Sequence, residues 1–304
     1  MIVAAACFGT LGPISALAYE RGIEPIGLVA WRAGLGALVL GAVVAVQRLG
    51  REGANGEIAR VPRGQLVRLA IAVGAGVLLN LAIFTAFGLV TVAIALLGFY
   101  TYPALVAVAD TLIHGERLDR WRLGGLALAL GGMVLVLLGG LDSSGGLRLE
   151  PLGVALALLA AAAQTVYVTV ARHGFPDVPV EIATEAVLAG GAATFTLLAL
   201  LSGAAASLLL PLQDAGLLGL VAFAGIAGAG LASLLFLLGV RTIGGTRTAV
   251  LAMFEPVVGV ALAAVVLGQP VLPLQLLGGA LVMVAGILLQ VGGPGADEIV
   301  ATQI

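Results

Sequence analysis

Long apolar stretches alternate with short polar segments along this chain of 304 residues. Two of the stretches, 69–109 and 256–296, contain no charged residue over 41 positions each. A helix needs about 20 apolar residues to cross a bilayer, so each stretch is long enough for two spans. The strict apolar–polar alternation of membrane β-strands is absent. The pattern therefore predicts membrane-spanning helices.

The apolar segments and the turn residues between them predict an all-α integral membrane protein with ten transmembrane helices. Short connections such as 20–25 and 172–179 carry Gly, Pro and charged residues, which favour turns. The predicted spans lie at roughly 2–19, 26–46, 66–87, 91–113, 122–140, 151–171, 180–201, 215–239, 248–267 and 273–291. The first span lacks the basic segment that begins a signal peptide, so we expect it to be retained as a helix.

The composition excludes an ordinary soluble domain. Charged residues make up 10% of the chain and the mean hydropathy is +1.18, whereas a soluble domain carries about 25% charge. The one cysteine, Cys7, excludes an internal disulfide and a cysteine-rich metal site. The sequence contains no nucleotide-binding loop and no catalytic triad. We therefore expect no enzyme activity, no cofactor, no metal and no nucleic-acid partner.

Basic residues lie mainly on one side of the predicted bilayer. All fourteen are arginines, and Arg21 and Arg148 alone fall on the side opposite the termini. The side of the termini carries Arg48, Arg51, Arg60, Arg63, Arg68, Arg117, Arg120, Arg122, Arg172, Arg241 and Arg247. Positive residues favour the cytoplasm, so the pattern predicts a multi-pass protein of the bacterial cytoplasmic (inner) membrane with both termini cytoplasmic.

An internal repeat relates the two halves of the chain. Pro103 and Pro256 are 153 positions apart, and so are Gly115 and Gly268. The sequence "LGGLALALGGMVL" is matched by "LGGALVMVAGILL" at a shift of 154 positions.

The repeat predicts two five-helix domains. They cover 1–140 and 151–292, are joined by a linker at 141–150, and are followed by a cytoplasmic tail at 293–304. Because five is odd, the second domain would enter the membrane from the opposite face, which makes the repeats inverted. Inverted repeats are a recurring plan of secondary transporters, with the substrate near the midplane between them.

Several motifs occur in the order typical of one transporter family. "YTYPALVAVADTLIHGERL" resembles its fourth helix, "FEPVVGVALAAVVLGQPV" its ninth, "LLGGALVMVAGILL" its tenth, and "AWRAGLGALVL" its arginine-containing second helix. The chain thus resembles the EamA-domain family of the drug/metabolite transporter superfamily, as two tandem EamA-like repeats. It departs from the family at Gln269, where Glu is usual. The resemblance implies a ten-helix transporter of small metabolites with a cavity between the halves; family substrates include amino acids, sugars, nucleotide-linked compounds and drugs.

Glu255 and Arg32 are the charged residues that lie deepest inside predicted spans. Glu255 lies about 10 Å of helix rise from the span end, where an unpaired carboxylate is costly and should face a cavity or a partner. Pro256 frees the carbonyl of Ala252 beside it. Glu255 is therefore a candidate ligand or proton site, or else a structural carboxylate. Arg32 is either a clamp for a substrate anion, a residue that snorkels to the headgroups, or half of a fixed ion pair.

Hydroxyl groups cluster in the middle of the fourth span. Tyr100, Thr101 and Tyr102 are successive residues, about 100° apart around a helix, so all three cannot face one cavity. The interpretation places Tyr100 or Tyr102 in the transport pathway and leaves the choice open. Asp110, nearer the end of the span, is expected to bond Arg117 or a loop amide.

Asn80 and Ser233 are repeat equivalents, 153 positions apart. Asn80 shares one helical face with Gly76, Phe84 and Phe87, which could offer amide and aromatic contacts to a substrate. Hydrogen bonding between helices is the equal alternative.

Thr10 and Gln164 are equivalents at a shift of 154, and Tyr167 lies one turn after Gln164. These residues are further candidates for the pathway. Gly12-Pro13 should kink the first helix.

These features predict a secondary active transporter that moves small metabolites by alternating access. An exporter of amino acids or related metabolites is the leading interpretation, and an exporter of drugs or organic cations is the alternative. A non-transporting membrane scaffold or a lipid-modifying enzyme is the alternative of another class. The expected partners are a small-molecule substrate, the lipid bilayer, and protons as a coupling ion. Glycine-rich helices such as 124–140 and 278–286 predict close helix packing, or a homodimer interface.

Overall fold

A computed structural model describes residues 1–51, 62–115, 120–139, 150–268 and 270–291. The linker residues 141–149, the tail 293–304, and Arg60, Arg117, Arg148 and Gln269 lie outside these ranges. The described part is built of helices and contains no strand.

The helices of the first half are α1 (Ile2–Gly9), α2 (Leu11–Glu20), α3 (Pro25–Arg51), α4 (Arg63–Leu89), α5 (Val92–Phe99), α6 (Tyr102–His114) and α7 (Arg120–Gly139). Those of the second half are α8 (Pro151–His173), α9 (Val180–Leu201), α10 (Ala205–Gln213), α11 (Ala215–Phe223), α12 (Ala232–Ile243), α13 (Gly245–Ala252), α14 (Phe254–Leu267) and α15 (Pro273–Val291). A π-helical segment, Ala224–Leu231, joins α11 to α12.

Eight helical segments are long and apolar enough to cross a membrane, some of them made of two successive helices. They are Ile2–Glu20, Pro25–Val46, Arg63–Leu89, Val92–Ile113, Pro151–His173, Val180–Leu201, Ala215–Ile243 and Gly245–Leu267. The other two predicted spans correspond to shorter apolar helices, Leu123–Gly139 and Pro273–Leu288. The all-α membrane class is confirmed, and the number of ten spans stays a prediction.

Three of the spans are broken near a proline. The breaks lie at Thr10, Tyr100 and Met253, each three residues before Pro13, Pro103 or Pro256. Proline cannot donate its backbone hydrogen bond and its ring crowds the carbonyl four residues earlier, which explains the breaks. The kink predicted from Gly12-Pro13 is thus present at Thr10.

Threonine hydroxyls form hydrogen bonds with their own helix at two of these breaks. Thr10 Oγ1 donates to the Cys7 carbonyl at 2.7 Å, and Thr101 Oγ1 donates to the Gly98 carbonyl at 2.7 Å. A hydroxyl that bonds its own helix in this way has its own hydrogen-bond partner in an apolar environment.

The repeat is visible in the backbone where two helices end. Gly115 follows α6 with φ of 68°, and Gly268 follows α14 with φ of 66°. Glycine adopts this left-handed conformation without a steric penalty, which explains why both positions are glycine.

The two halves interlock through their helices. The most extensive helix contacts are α3 with α9, α4 with α8, and α7 with α15, and each pair joins one half to the other. Glycines permit the close approach of α7 to α15: a Cβ on Gly132 would lie 2.6 Å from the Gly278 carbonyl oxygen. These glycines therefore serve packing within the chain.

The bundle has two ends that we call the terminal face and the distal face. Met1, the segment 174–179 and Gly244 lie at the terminal face: Met1 contacts Gly239, and Arg241 Nη1 donates to the Val178 carbonyl at 2.8 Å. The loop 21–24, the segment 202–204 and Asp214 lie at the distal face, as the following contacts show.

The helix α10 was not predicted and lies at the distal face. Ser207 Oγ accepts from the Glu24 amide at 2.9 Å, and the Trp31 indole donates to the Leu208 carbonyl at 3.0 Å. Beside α10, Asp214 pairs with Arg21 at 3.0 Å. Hydrogen bonds from the Leu217 amide and from Arg21 hold the pKa of Asp214 below its usual value.

Candidate functional site

A cavity of about 800 Å³ lies between the two halves of the bundle. Its walls are mainly apolar, as is usual for small-molecule sites. The polar and charged side chains that line it are Ser15, Tyr19, Arg32, Asn80, Tyr100, Tyr102, Gln164, Tyr167, Thr184, Ser233 and Glu255.

The cavity brings together most of the residues singled out in the sequence. Its lining includes Glu255, Tyr100, Tyr102, Asn80, Gln164, Tyr167, Ser233 and Arg32. Thr10 is not among the lining residues, since its hydroxyl bonds the Cys7 carbonyl within its own helix. Contact of the lining residues with a substrate stays a prediction.

The cavity extends to the distal face. Tyr19, Gly88 and Val92 line it near the ends of their helices and are exposed there, with Val92 at 54% exposure. At the opposite end the bundle is closed by buried side chains, among them Asp110 and Thr246 at 0% and 2% exposure. The described conformation is therefore open at one face and closed at the other.

Arg32 on α3 is oriented by two residues of α4. Its Nη2 donates to Asn80 Oδ1 at 3.1 Å, and its guanidinium carbon lies 5.6 Å from the centre of the Phe84 ring. The Asn80 amide in turn donates to the Gly76 carbonyl at 2.8 Å, which fixes which side of the amide faces Arg32. A guanidinium has five N–H donors, so most of them remain available toward the cavity.

Glu255 on α14 lies beside the tyrosines of the fourth span. The Tyr100 hydroxyl lies close enough to the Glu255 carboxylate for the two groups to interact. Tyr102 donates to the Ala249 carbonyl on α13 at 3.4 Å. Both tyrosines are buried, at 4% and 2% exposure, and both line the cavity, whereas Thr101 turns its hydroxyl to its own backbone.

The two charged groups of the cavity are electrostatically coupled but do not form an ion pair. Arg32 and Glu255 are close enough to influence each other, yet the structure gives these two described residues no N···O contact within 4.0 Å. They come from different halves of the chain. The arrangement leaves a positive group and a negative group facing one space.

Two aromatic clusters flank these charges. Phe84, on α4, packs edge-on against Phe87 at 5.7 Å and against Phe195 at 6.2 Å between ring centres. On another wall, Phe236 packs against Tyr167 at 6.4 Å and Phe8 at 6.3 Å. Flat apolar surfaces of this kind suit a planar or apolar part of a ligand.

Sequence reasoning missed several lining residues. Phe8, Phe195 and Phe236 reach the cavity, as do Tyr19 and Thr184. An aromatic residue within an apolar span gives no signal that separates a cavity wall from a lipid-facing or packed position. Phe84 and Phe87 were found because they share a helical face with Asn80.

No metal site is found in the residues that the structure covers: no group of three or more His, Cys, Asp or Glu side chains is placed to hold an ion.

The comparisons with known proteins agree with this architecture. The model of the EamA-like transporter family matches residues 1–138 and 151–291. A crystal structure of another protein superposes with a TM-score of 0.76, at 22% identity over 95% of this chain and 94% of that chain, a likeness that shows the fold. No curated protein matches the chain significantly. Because the family match takes in two tandem segments that cover most of its length, the chain belongs to the EamA-like transporter family.

Proposed function

We propose that this protein is a secondary active transporter that exports amino acids or related metabolites by alternating access. The observation that carries the proposal is that Arg32 and Glu255 face one cavity without pairing with each other. An amino acid carries a carboxylate and an ammonium on neighbouring atoms. Arg32 matches the carboxylate with a bidentate fork, and Glu255 matches the ammonium.

The aromatic clusters complete the site. A substrate held between Arg32 and Glu255 would lay its side chain against Phe84 or Phe236, whose rings line the same cavity. Binding at two charged points fixes the orientation of the substrate, and the aromatic walls then select for its apolar part.

The proposed topology has ten spans in two inverted domains, 1–140 and 151–292, with the linker 141–150 between them. Both termini, including the tail 293–304, are cytoplasmic, and the membrane is the inner membrane of a bacterium. The arginine distribution supports this orientation. In this orientation the cavity opens to the periplasm, and the closed terminal face is cytoplasmic.

An exporter of organic cations is the second candidate. Phe99 lies 5.2 Å from Tyr100 and 5.1 Å from Tyr102 between ring centres, and both tyrosines lie near Glu255. Rings around a carboxylate are a suitable site for a cation that carries no anion of its own.

A competition assay separates the two candidates. Liposomes that contain the purified protein are loaded with a labelled aromatic or aliphatic amino acid. Three competitors with the same side chain are then compared: the unlabelled amino acid, its N-acetyl derivative and its decarboxylated amine. We expect the intact zwitterion to compete best. An amine that competes as well as the amino acid would favour the cation exporter and overturn the zwitterion site.

Two variants assign the charges. Arg32→Gln should abolish the advantage of the amino acid over the amine, and Glu255→Gln should abolish its advantage over the N-acetyl derivative. If both variants keep the full preference for the zwitterion, these residues do not recognise it.

A further inference from the structure

A buried polar cluster closes the terminal face below the cavity. The Asp110 carboxylate, on α6, is 0% exposed. Its Oδ2 accepts hydrogen bonds from the Thr246 amide at 2.9 Å and the Thr246 hydroxyl at 2.8 Å. Its Oδ1 lies 3.3 Å from Arg172 Nη1 at the end of α8. One carboxylate thus joins three helices, α6, α8 and α13.

This finding differs in part from the expectation for Asp110. A loop amide was expected to bond Asp110. The amide found is that of Thr246, which belongs to the first turn of α13. The expected partner Arg117 lies outside the described residues, and Arg172 is the arginine found in contact. The physical reason is tertiary: α13 begins directly against α6.

Two glycines allow this close contact. Gly244 has φ of 87°, a conformation that glycine adopts readily. A Cβ on Gly245 would lie 3.0 Å from Asp110 Oδ2 and from methyl groups of Val106 and Val168. The Gly244-Gly245 turn therefore brings the amide end of α13 onto the carboxylate, inside an apolar and closely packed layer.

A second contact connects this cluster to the floor of the cavity. Tyr102 lies on α6 about 12 Å of helix rise from Asp110, and its hydroxyl donates to the Ala249 carbonyl of α13. The helices α6 and α13 are thus joined both beside the cavity and at the terminal face. A movement that separates them would open a path from the cavity to that face.

The residues that the repeat makes equivalent to this cluster form no such cluster. At shifts of 153 or 154 positions, Asp110 corresponds to Ala263, Thr246 to Ala93 and Arg172 to Ala18. None of these alanines can form an ion pair or a side-chain hydrogen bond. Among the described residues, the distal face is held instead by contacts such as the exposed Arg21–Asp214 pair, and not by a buried carboxylate at the equivalent positions.

We propose that Asp110, Thr246 and Arg172 form a latch that keeps the terminal face closed and makes the distal-open conformation the resting state. This rests on the proposed function in one respect, namely that a transporter must open each face in turn. Opening of the terminal face requires the latch to part. Because these contacts are found at the terminal face, weakening them shifts the population toward the terminal-open conformation.

Accessibility labelling tests the latch without depending on transport. The native Cys7 is replaced by Ser, and Ser233→Cys places a thiol of nearly the same size on the cavity wall. The full-length protein is placed in liposomes with one orientation, and a membrane-impermeant maleimide is added from one face at a time. With the latch intact, we expect labelling from the distal face and protection from the terminal face.

Latch variants should reverse this pattern. Asp110→Asn and Thr246→Val should increase the labelling rate from the terminal face at least about fivefold and decrease it from the distal face. Thr246→Ser keeps the hydroxyl and should label as the unaltered latch does. Asp214→Asn removes a carboxylate of the distal face and should also leave terminal-face labelling unchanged.

Three outcomes would overturn the proposal. The first is that the Asp110→Asn and Thr246→Val variants are labelled at the same rates as the protein with the unaltered latch. The second is labelling that rises from both faces together, which indicates loss of the fold. The third is Asp214→Asn or Thr246→Ser protein with the same effect as Asp110→Asn. Failure of the transport assay alone would count against the proposed function and leave the labelling result intact.

Discussion

Arg32 and Glu255 line the same cavity from opposite halves of the chain, and no ion pair joins these two described residues. Each lies instead beside a neutral neighbour: Arg32 donates a hydrogen bond to Asn80, and Glu255 interacts with Tyr100. Two opposite charges that were paired would neutralise each other. Two that are held apart can bind a ligand of complementary charge, and this relationship is the basis of the first predictions.

Arg32→Lys should impair transport although it keeps the positive charge. Lysine presents a point charge and not a planar fork, so it cannot bind a carboxylate through two parallel hydrogen bonds. We expect the apparent KM to rise at least about tenfold, which corresponds to about 1.4 kcal/mol. The measurement is substrate flux in liposomes. Arg21→Lys, at the exposed ion pair with Asp214, is the control and should leave KM unchanged; equal KM values for Arg32→Lys and the wild type would contradict the clamp.

Asn80→Ala should weaken transport indirectly. It removes the hydrogen bond that orients the Arg32 guanidinium, so the guanidinium gains freedom that binding must then restrict. We expect a rise of about threefold to tenfold in KM, or about 0.7–1.4 kcal/mol, with unchanged thermal stability. Thr85→Ala is the matched control on the same helix, because its exposed hydroxyl bonds the Leu81 carbonyl. If both substitutions leave flux at the wild-type level, Asn80 has no orienting role.

Glu255→Gln should fold but lose its response to a pH gradient. A carboxylate in a cavity of low dielectric is costly when charged, so it is suited to take up and release a proton during transport, and glutamine keeps the shape without that titration. The measurement is flux with and without an imposed pH difference. If wild-type flux is the same with and without the pH gradient, proton coupling is excluded. A Glu255→Gln protein as active and as sensitive to the gradient as wild type would reduce Glu255 to a packing residue.

The orientation of the chain can be tested with fused reporters. A reporter that is active in the periplasm alone should be active when inserted within 141–150 and silent within 47–65, because the arginines favour a cytoplasmic location for the second segment. The opposite pattern would reverse the proposed topology and place the open face of the cavity toward the cytoplasm.

Gly132→Ala should destabilise the contact between α7 and α15. The added Cβ would lie 2.6 Å from the Gly278 carbonyl oxygen and 3.0 Å from Leu281 Cβ, so the helices must move apart. Overpacking of this kind costs about 1–3 kcal/mol, which should lower the melting temperature of the protein in detergent. Its neighbour Gly131 has open space at the Cβ position, and Gly131→Ala is the control. Equal melting temperatures for the two variants would contradict the described packing.

The sequence by itself determined the class of this protein and its family resemblance. Apolar stretches as long as 69–109, with few charges to cover a surface, can be stable only in a bilayer, and there the backbone must form helices or a closed barrel. The spacing of Pro103 and Pro256 revealed the repeat. Charged and polar residues at mid-span were expected at a cavity because lipid is a poor solvent for them.

The tertiary structure alone decided which of these side chains meet. Helical periodicity separates Tyr100 from Tyr102 by about 200°, so a continuous helix would turn them to different sides. Both nevertheless line the cavity, and they lie on either side of Thr101 where the span is broken between α5 and α6. Asp110 and Thr246 are 136 positions apart, and their contact depends on how α13 packs against α6. Local patterns determine which residues are unsuited to lipid, but the packing of distant helices determines the partner of each.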